Sequence, residues 1–242
     1  MPRWIAMWSG PRNVSTALMR SFESRSDTAV CDEPLYAHYL KTTGAPHPGR
    51  EEVIALHESD WRAVARQLTG PVPGGKAVFY QKHMAHHLLP AIEREWLWGL
   101  EHAFLIRDPR EMLSSLAKVT PEPELDDTGL PQQVELFRAL EGRTGRTPPV
   151  LDARDLLADP QALLRKLCAA LELEFQPAML AWKSGLRSTD GIWAKHWYGA
   201  VARTSGFERA RERPYELPAA LEGLHERCLP LYRVLHERRL TA

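Results

Sequence analysis

The first 24 residues contain an apolar strand, a polar loop and a helix, and this order restricts the fold more than any other segment. Trp4 to Trp8 is continuously apolar, as in a strand that is buried on both faces of a parallel sheet. Apolar residues at Val14, Leu18 and Phe22 recur every fourth position and predict a helix directly after the loop. Such a loop points backbone N–H groups and the positive end of a helix dipole at one place. The segment therefore predicts a binding site for a phosphate or sulfate group.

Side chains of the loop add to this anion site. Arg12 supplies a positive charge, and two hydroxyl groups follow it, so the predicted cradle consists of Pro11, Arg12, Asn13, Val14, Ser15 and Thr16. The loop departs from the nucleotide triphosphate motif G-x-x-x-x-G-K-[ST], because Ser15, Thr16 and Ala17 occupy its last three positions. Without the lysine and the magnesium-binding hydroxyl, ATP hydrolysis and phosphoryl transfer are disfavoured.

A second anion site is predicted after the strand His102 to Ile106. Arg107 follows that strand, Asp108 suits a helix N-cap, and Pro109 suits the first position of a helix. Ser115 comes eight positions after Arg107, two turns into this helix, with Ser114 as the alternative hydroxyl. An arginine and a hydroxyl in these places can bind a second phosphate, as a nucleotide with phosphates at both ends of its ribose requires.

Together, the two motifs resemble those of the sulfotransferase family. In that family P-R-x-x-S-T binds the 5′-phosphosulfate of 3′-phosphoadenosine 5′-phosphosulfate (PAPS), and R-D-P followed by a serine binds the 3′-phosphate. Further segments are similar to the sulfotransferase-like part of plant proteins named branched-chain aminotransferase-like and to stand-alone bacterial relatives: residues 8–12, 31–37, 82–85 and 190–194. The resemblance runs from about residue 4 to 207 and implies a P-loop NTPase-like sulfotransferase fold with PAPS as the donor co-substrate.

The alternation of apolar strands and helical stretches without a long linker predicts one α/β domain over residues 1–242. We expect three layers, α/β/α, around a mainly parallel sheet. The third strand is predicted at residues 77–81, with a helix after it through Trp98. A cap segment is predicted at about 183–213, because this stretch is rich in Gly, Arg and Trp and lacks clean periodicity, and one or two helices at about 217–240.

Charge and cysteine content restrict the partners. Basic and acidic residues balance at 31 each, which argues against nucleic-acid and membrane partners. No apolar run approaches the roughly 18 residues of a membrane-spanning helix, and no cationic leader is visible. The 3 cysteines are widely spaced and predict no disulfide framework. A cytoplasmic protein acting on a small molecule is the simplest interpretation, with the oligomeric state left open.

Sulfuryl transfer needs a cation for the developing negative charge and a base for the acceptor proton. Arg12 is the predicted cation, and no metal is strictly needed. Glu33, at a predicted strand end, is the first candidate base, with Asp32 as its neighbour. His83 is the alternative, since cytosolic sulfotransferases carry a catalytic histidine after this strand in a K-x-H pattern. Here Lys82 is adjacent to His83, so the two face opposite ways on a strand, and Lys82 is instead a candidate for contacting the leaving phosphate or sulfonate.

Two weaker sets of candidates remain. In the cap segment, Arg187 and Lys195 are the cations that could reach a phosphate, and the two tryptophans nearby could shape the acceptor pocket or pack the loop: Trp193 and Trp197. The histidines at 83, 86 and 87 lack a ligand pattern with a cysteine or carboxylate, so we expect no metal site and interpret them as residues on a helix surface.

The leading hypothesis is a PAPS-dependent sulfotransferase that modifies a hydroxyl or amine of a small molecule. The first alternative is a nucleotide-binding or regulatory module that has lost transfer. A divergent P-loop kinase or NTPase ranks last.

Overall fold

Strand β1 (Arg3–Ser9) lies at the centre of a five-stranded, wholly parallel sheet in the order β2-β3-β1-β4-β5. The other strands are β2 (Thr28–Asp32), β3 (Val78–Met84), β4 (Glu101–Ile106) and β5 (Val150–Asp152). The computed structural model describes residues 2–120, 122–209 and 215–242. Because the strands are parallel, their carboxyl ends meet at one edge of the sheet, where ligands bind in folds of this class.

Helices connect the strands and cover both faces of the sheet. Those that follow β1 and β2 are α1 (Ser15–Glu23), α2 (Tyr36–Thr43), α3 (Arg50–Leu56) and α4 (Trp61–Leu68). Those that follow β4 and β5 are α5 (Pro109–Leu116), α6 (Leu130–Thr144), α7 (Ala153–Ala158), α8 (Pro160–Ala170), α9 (Ala194–Trp197) and α10 (Glu222–His236). The predicted three-layer α/β/α class with a parallel sheet is confirmed.

Alternate residues of β1 enter two separate cores. Ala6 and Trp8 belong to the core beneath α4, α6 and α10, whereas Ile5 and Met7 belong to the core beneath α1 and α8. Successive residues of a strand point to opposite faces of the sheet, and both faces of β1 are covered by a core. Every position of the strand is therefore apolar, which accounts for the continuous apolar run in the sequence.

The predicted helix between the third strand and Trp98 is wrong. Strand β3 continues to Met84, and only short 3-10 turns follow, at Ala85–His87 and Glu95–Gly99. Pro90 lies in this stretch, has no backbone N–H and disfavours helical geometry at the residue before it. The two histidines at 86 and 87 therefore lie in a turn rather than on a helix surface.

The predicted cap segment is largely irregular, with α9 and a 3-10 turn at Val201–Arg203 as its regular parts. Its last four residues, 210–213, lie outside the described residues. The C-terminal stretch forms a 3-10 turn, Ala219–Leu221, and then α10. Within the described ranges, no helix has both the length and the apolar composition needed to cross a bilayer.

His102 at the start of β4 makes the sheet sensitive to acid. Trp8 Nε1 donates to His102 Nδ1 at 3.0 Å, and His102 Nε2 lies 2.9 Å from the carbonyl oxygen of Leu97, to which it donates. Both ring nitrogens are thus used by the neutral imidazole. Burial lowers the pKa of His102 from 6.5 to about 4, against the opposing effect of the hydrogen bond to Leu97. Protonation would also set two N–H groups against each other at Trp8.

We expect the free energy of unfolding to fall by about 3 kcal/mol as the pH drops from 6.5 to 4, through His102 alone. The unfolded chain binds the proton in this window and the folded chain does not, so the contribution is present above pH 6.5 and lost below it. Denaturant unfolding of the wild type and of His102→Gln between pH 7 and pH 4 measures it. The gap in stability between the two proteins should shrink as the pH falls; a constant gap would contradict the assignment.

Candidate functional site

The carboxyl ends of β1, β2 and β3 open into a cavity of about 480 Å³. All six residues of the predicted cradle, 11–16, line it, and so do Glu33, Lys82, Arg107 and Ser115. Parallel pairing accounts for this convergence, because the strands that bring these residues are direct neighbours in the sheet. Ten of the thirteen predicted site residues therefore line the cavity, and His83, Arg187 and Lys195 do not.

The loop after β1 has the backbone geometry of an anion-binding turn. Arg12 and Val14 both adopt left-handed conformations, with φ of 61° and 56°. Such a conformation is strained for a β-branched residue such as Val14, and strain of this kind is typical of functional sites. Gly10 permits the turn, since a Cβ there would lie 2.3 Å from the carbonyl oxygen of Thr128. The loop and the first turn of α1 thus line the cavity, where the N–H groups of a helix N-terminus favour an anion.

Arg12 and Arg107 bring two guanidinium groups together at this loop. Arg12 Nε donates to Ser115 Oγ at 2.9 Å, and Arg107 Nη1 donates to the carbonyl oxygen of Arg12 at 2.7 Å. Burial, and then the nearby charge of Arg107, lower the pKa of Arg12. Among the described residues no carboxylate lies within ion-pair distance of Arg12. Two adjacent cations with one lacking a counter-ion form a site that favours an anion.

Neighbouring groups hold these two arginines in position. Arg107 Nε donates to Glu111 at 3.1 Å, one turn along α5, and Glu111 also pairs with Arg154. Asn13 Nδ2 donates to the carbonyl oxygen of Leu105, which fixes the loop to the end of β4. Ser115 faces the cavity, whereas Ser114 points away and donates to the carbonyl oxygen of Glu216. Of the two candidate serines, only Ser115 therefore lines the cavity.

Glu33, Asp32 and Lys82 form a buried charged cluster at the ends of β2 and β3. Asp32 and Lys82 are direct partners in the sheet register, and Lys82 Nζ lies 2.8 Å from Asp32 Oδ1 and 2.5 Å from Glu33 Oε1. Tyr198 closes the cluster, since its hydroxyl lies 2.7 Å from both Lys82 Nζ and Asp32 Oδ2. Glu33 is the carboxylate of this cluster that lines the cavity.

The cluster sets the protonation of its members. The neighbouring Asp32, Glu33 and Tyr198 keep the pKa of Lys82 above its usual value despite burial. Burial raises the pKa of Glu33, although Lys82 opposes this effect. A carboxylate with a raised pKa is a stronger base than an ordinary glutamate, and Glu33 is therefore suited to accept a proton at neutral pH. Its backbone is also left-handed, with φ of 43°.

His83 lies outside the cavity. Its ring stacks on Trp8 with 4.3 Å between centroids, and its Nε2 lies 3.3 Å from Gln81 Oε1. Burial lowers the pKa of His83 to about 3. It points to the opposite face of β3 from Lys82, as the adjacency of the two residues predicts. Of the two candidate bases, Glu33 lines the cavity and His83 does not.

The cap segment contributes Tyr198 and Trp197 to the site, but not its two predicted cations. Arg187 pairs with Glu23 and also donates to the carbonyl oxygen of Lys183, whereas Lys195 pairs with Glu52 at 2.5 Å. Neither lines the cavity. Gly191 N–H donates to Asp32 at 3.0 Å, so the cap is bound to the charged cluster instead of to a phosphate subsite.

A group of rings covers another part of the cavity and was missed by the sequence analysis as a unit. We call it the aromatic wall: Tyr36, Tyr39, His47, His86, His87 and Trp197. His87 stacks between the two tyrosines, with centroid distances of 4.8 Å to Tyr36 and 4.6 Å to Tyr39. Its members come from four separate segments, and no spacing in the sequence connects them. Within the described part of the chain, no cluster of three or more His, Cys, Asp or Glu side chains has the arrangement of a metal site.

Comparisons with known proteins agree with this architecture. A family model described as "Sulfotransferase domain" matches residues 3–239. Two Arabidopsis thaliana proteins named branched-chain-amino-acid aminotransferase-like protein 1 and 2 are 40% and 38% identical over 97% and 96% of this chain. The aligned part is 42% and 41% of their length, so the chain spans about two fifths of these relatives.

Solved structures give the fold independently. A sulfotransferase from Alicyclobacillus acidocaldarius matches with a TM-score of 0.54 at 12% identity, covering 99% of this chain and 98% of that one. The sulfotransferase domain of the Synechococcus PCC 7002 olefin synthase matches with 0.52 at 14% identity, covering 98% and 94%. At these identities the likeness shows the fold alone. With the family model covering almost its whole length, the chain belongs to the sulfotransferase domain family.

Proposed function

We propose that this protein is a PAPS-dependent sulfotransferase that transfers a sulfuryl group to a hydroxyl or amine of a small molecule. The pair of guanidinium groups at the α1 N-terminus carries this proposal. Arg12, Arg107 and Ser115 are joined to one another while lining the same cavity as Glu33. A donor with phosphates at both ends of its ribose fits two cations on neighbouring strand ends, the 5′-phosphosulfate at the cradle and the 3′-phosphate at Arg107 and Ser115.

In the proposed reaction, the acceptor oxygen forms a bond to sulfur while the bond from sulfur to the 5′-phosphate oxygen breaks. Its electron pair leaves on adenosine 3′,5′-bisphosphate, and the acceptor proton passes to Glu33. Arg12 and the N–H groups of the loop would stabilise the negative charge that develops on the sulfonate and leaving oxygens. Lys82 would remain ion-paired with Glu33 and Asp32. It would thereby position the Glu33 carboxylate and offset the negative charge of that carboxylate.

Binding of adenosine 3′,5′-bisphosphate tests this function first. We expect micromolar or tighter binding to the wild type by calorimetry, and weakening by roughly 10- to 100-fold in Arg107→Ala, because charge-assisted hydrogen bonds to a phosphate are lost. Adenosine 5′-phosphate should bind both proteins with similar, lower affinity. Arg187→Ala is the matched control, since this arginine lies outside the cavity. Preference for magnesium-ATP, or indifference to the 3′-phosphate, would refute the proposal.

A nucleotide-binding module without transfer activity is the second candidate. It is favoured by the aminotransferase-like names of the plant relatives, of which this chain spans only part. It predicts the same bisphosphate binding, but no transfer from PAPS and no effect of Glu33→Gln. A kinase is disfavoured, because Ala17 lines the cavity where a magnesium-binding hydroxyl would be needed.

The proposed reaction is compatible with a reducing, cytoplasmic site of action. Cys31, Cys168 and Cys228 are not paired with one another in the structure, so the fold does not depend on a disulfide between them.

A further inference from the structure

The aromatic wall lines its part of the cavity with six phenol, imidazole and indole rings. Trp197 meets His47 at 5.9 Å between centroids, and the Tyr36 hydroxyl lies 2.8 Å from His47 Nδ1. Burial lowers the pKa of His86 to about 3 and that of His87 well below its usual value, so both imidazoles are neutral. The face of an aromatic ring attracts a cation, most strongly for tryptophan and tyrosine.

Unpartnered polar atoms lie in the same wall. His86 Nδ1 and His87 Nδ1 are buried and have no hydrogen-bond partner in the described structure. Buried polar groups are nearly always paired in proteins, and these two nitrogens have no partner although their rings line the cavity. A ring nitrogen that lacks its proton can accept a hydrogen bond from a ligand N–H, such as that of an ammonium group.

Asp127 adds an uncompensated negative charge. It lines the cavity and accepts from the backbone N–H of Glu124 at 2.9 Å. Within the described ranges no Lys, Arg or His forms an ion pair with it, in contrast to Glu33, which is paired with Lys82. Burial lowers the pKa of His47, and the charge of Asp127 opposes this effect. Burial raises the pKa of Tyr39, and the charge of Asp127 adds to this rise, so Asp127 lies beside the aromatic wall.

The cavity is therefore divided by charge. Arg12 and Arg107 provide positive charge at the loop, whereas Asp127 provides negative charge beside the aromatic wall. Glu33 connects the two, since its carbonyl oxygen accepts from the N–H of Tyr36, the first residue of the wall. A molecule with a hydroxyl at one end and a positive charge at the other matches this division.

We propose that the acceptor is a small hydroxyl compound carrying an ammonium group, which the aromatic wall and Asp127 bind while its hydroxyl faces Glu33. This inference rests on the proposed function and names the acceptor class for the same site. A neutral phenol would also stack on the wall, but it would leave the charge of Asp127 and the two histidine nitrogens unmatched. The charge of the acceptor thus distinguishes the two classes.

Two pairs of probes that differ only in charge test the inference. One is choline and its carbon isostere 3,3-dimethylbutan-1-ol; the other is tyramine and its carbon isostere 4-propylphenol. Binding of each is measured by calorimetry with saturating adenosine 3′,5′-bisphosphate, and transfer from PAPS is measured in parallel. We expect the charged member to bind about tenfold or more tightly in at least one pair, as cation–π contact and an unpaired carboxylate together imply.

Asp127→Asn should reduce that preference to less than about threefold, whereas Asp126→Asn, a neighbouring carboxylate outside the cavity, should leave it intact. A merely structural role of Asp127 would change both members of a pair equally. Equal binding, tighter binding of the neutral members, or no binding of either cation at 10 mM would overturn the inference. Failure of the bisphosphate to bind to the wild type would instead refute the proposed function, so the two failures are distinct.

Discussion

Glu33→Gln is expected to lower the rate of sulfuryl transfer by about 100- to 10,000-fold, because it removes the group that accepts the acceptor proton. The affinity for adenosine 3′,5′-bisphosphate should stay within about twofold of the wild-type value. The residues proposed to bind this nucleotide lie on the loop after β1 and on α5 or directly before it. Single-turnover transfer measures the first quantity and calorimetry the second. A variant that retains transfer would contradict the role of Glu33.

The pH dependence of the same reaction provides an internal check. The base acts in its deprotonated form, and burial raises the pKa of Glu33. We therefore expect the wild-type rate to fall as the pH is lowered through a value above the ordinary range of a glutamate. His83→Gln serves as the comparison, because His83 does not line the cavity and should keep the chemical step intact. The reverse pattern between the two variants would assign the base to His83.

Lys82→Met is expected to lower the free energy of unfolding by about 3–5 kcal/mol, since removal of one partner of a buried ion pair leaves the other charge uncompensated. The Lys82 side chain is 1% exposed, and two carboxylates lie within 2.8 Å of its Nζ. Without the ammonium, Asp32 and Glu33 face each other in the same buried volume. Denaturant unfolding at pH 7 measures the loss.

The double variant Lys82→Met/Asp32→Asn is the control for the charge itself. It removes one of the two stranded carboxylates, so we expect it to recover a substantial part of the stability that the single variant loses. If the free energy of unfolding of Lys82→Met lies within about 1 kcal/mol of the wild-type value, the ion cluster does not stabilise these strand ends as we expect.

The residues proposed to bind the sulfuryl donor could be predicted, because they lie in two short segments of the sequence. The cradle at 11–16 lies on one strand–loop–helix unit, and Arg107 and Ser115 lie on another. In a parallel sheet, both units place their loops at the same edge, so local motifs and one rule of topology were sufficient. The parallel α/β class followed from the same continuous apolar strands.

The aromatic wall could not be predicted from the sequence, because its members share no periodicity. Tyr36 and Tyr39 lie on α2, whereas His87 reaches them from a turn that the sequence predicted as a helix. The two cations predicted in the cap segment, Arg187 and Lys195, failed to reach the cavity for a related reason. Arg187 pairs with Glu23 and Lys195 with Glu52, and both carboxylates lie on segments that are distant in the sequence. Only the tertiary structure brings these partners together.

The sheet order has a consequence for how the protein is made. The cradle loop ends at residue 16, but both neighbours of β1 come much later in the chain, since β3 begins at Val78 and β4 at Glu101. During synthesis, the loop leaves the ribosome long before Arg107 and Ser115 exist to complete the anion site. Until β3 and β4 are made, the strained turn lacks the strands that flank β1 in the folded protein. A nucleotide that occupied the proposed anion site would, by mass action, stabilise only the finished protein.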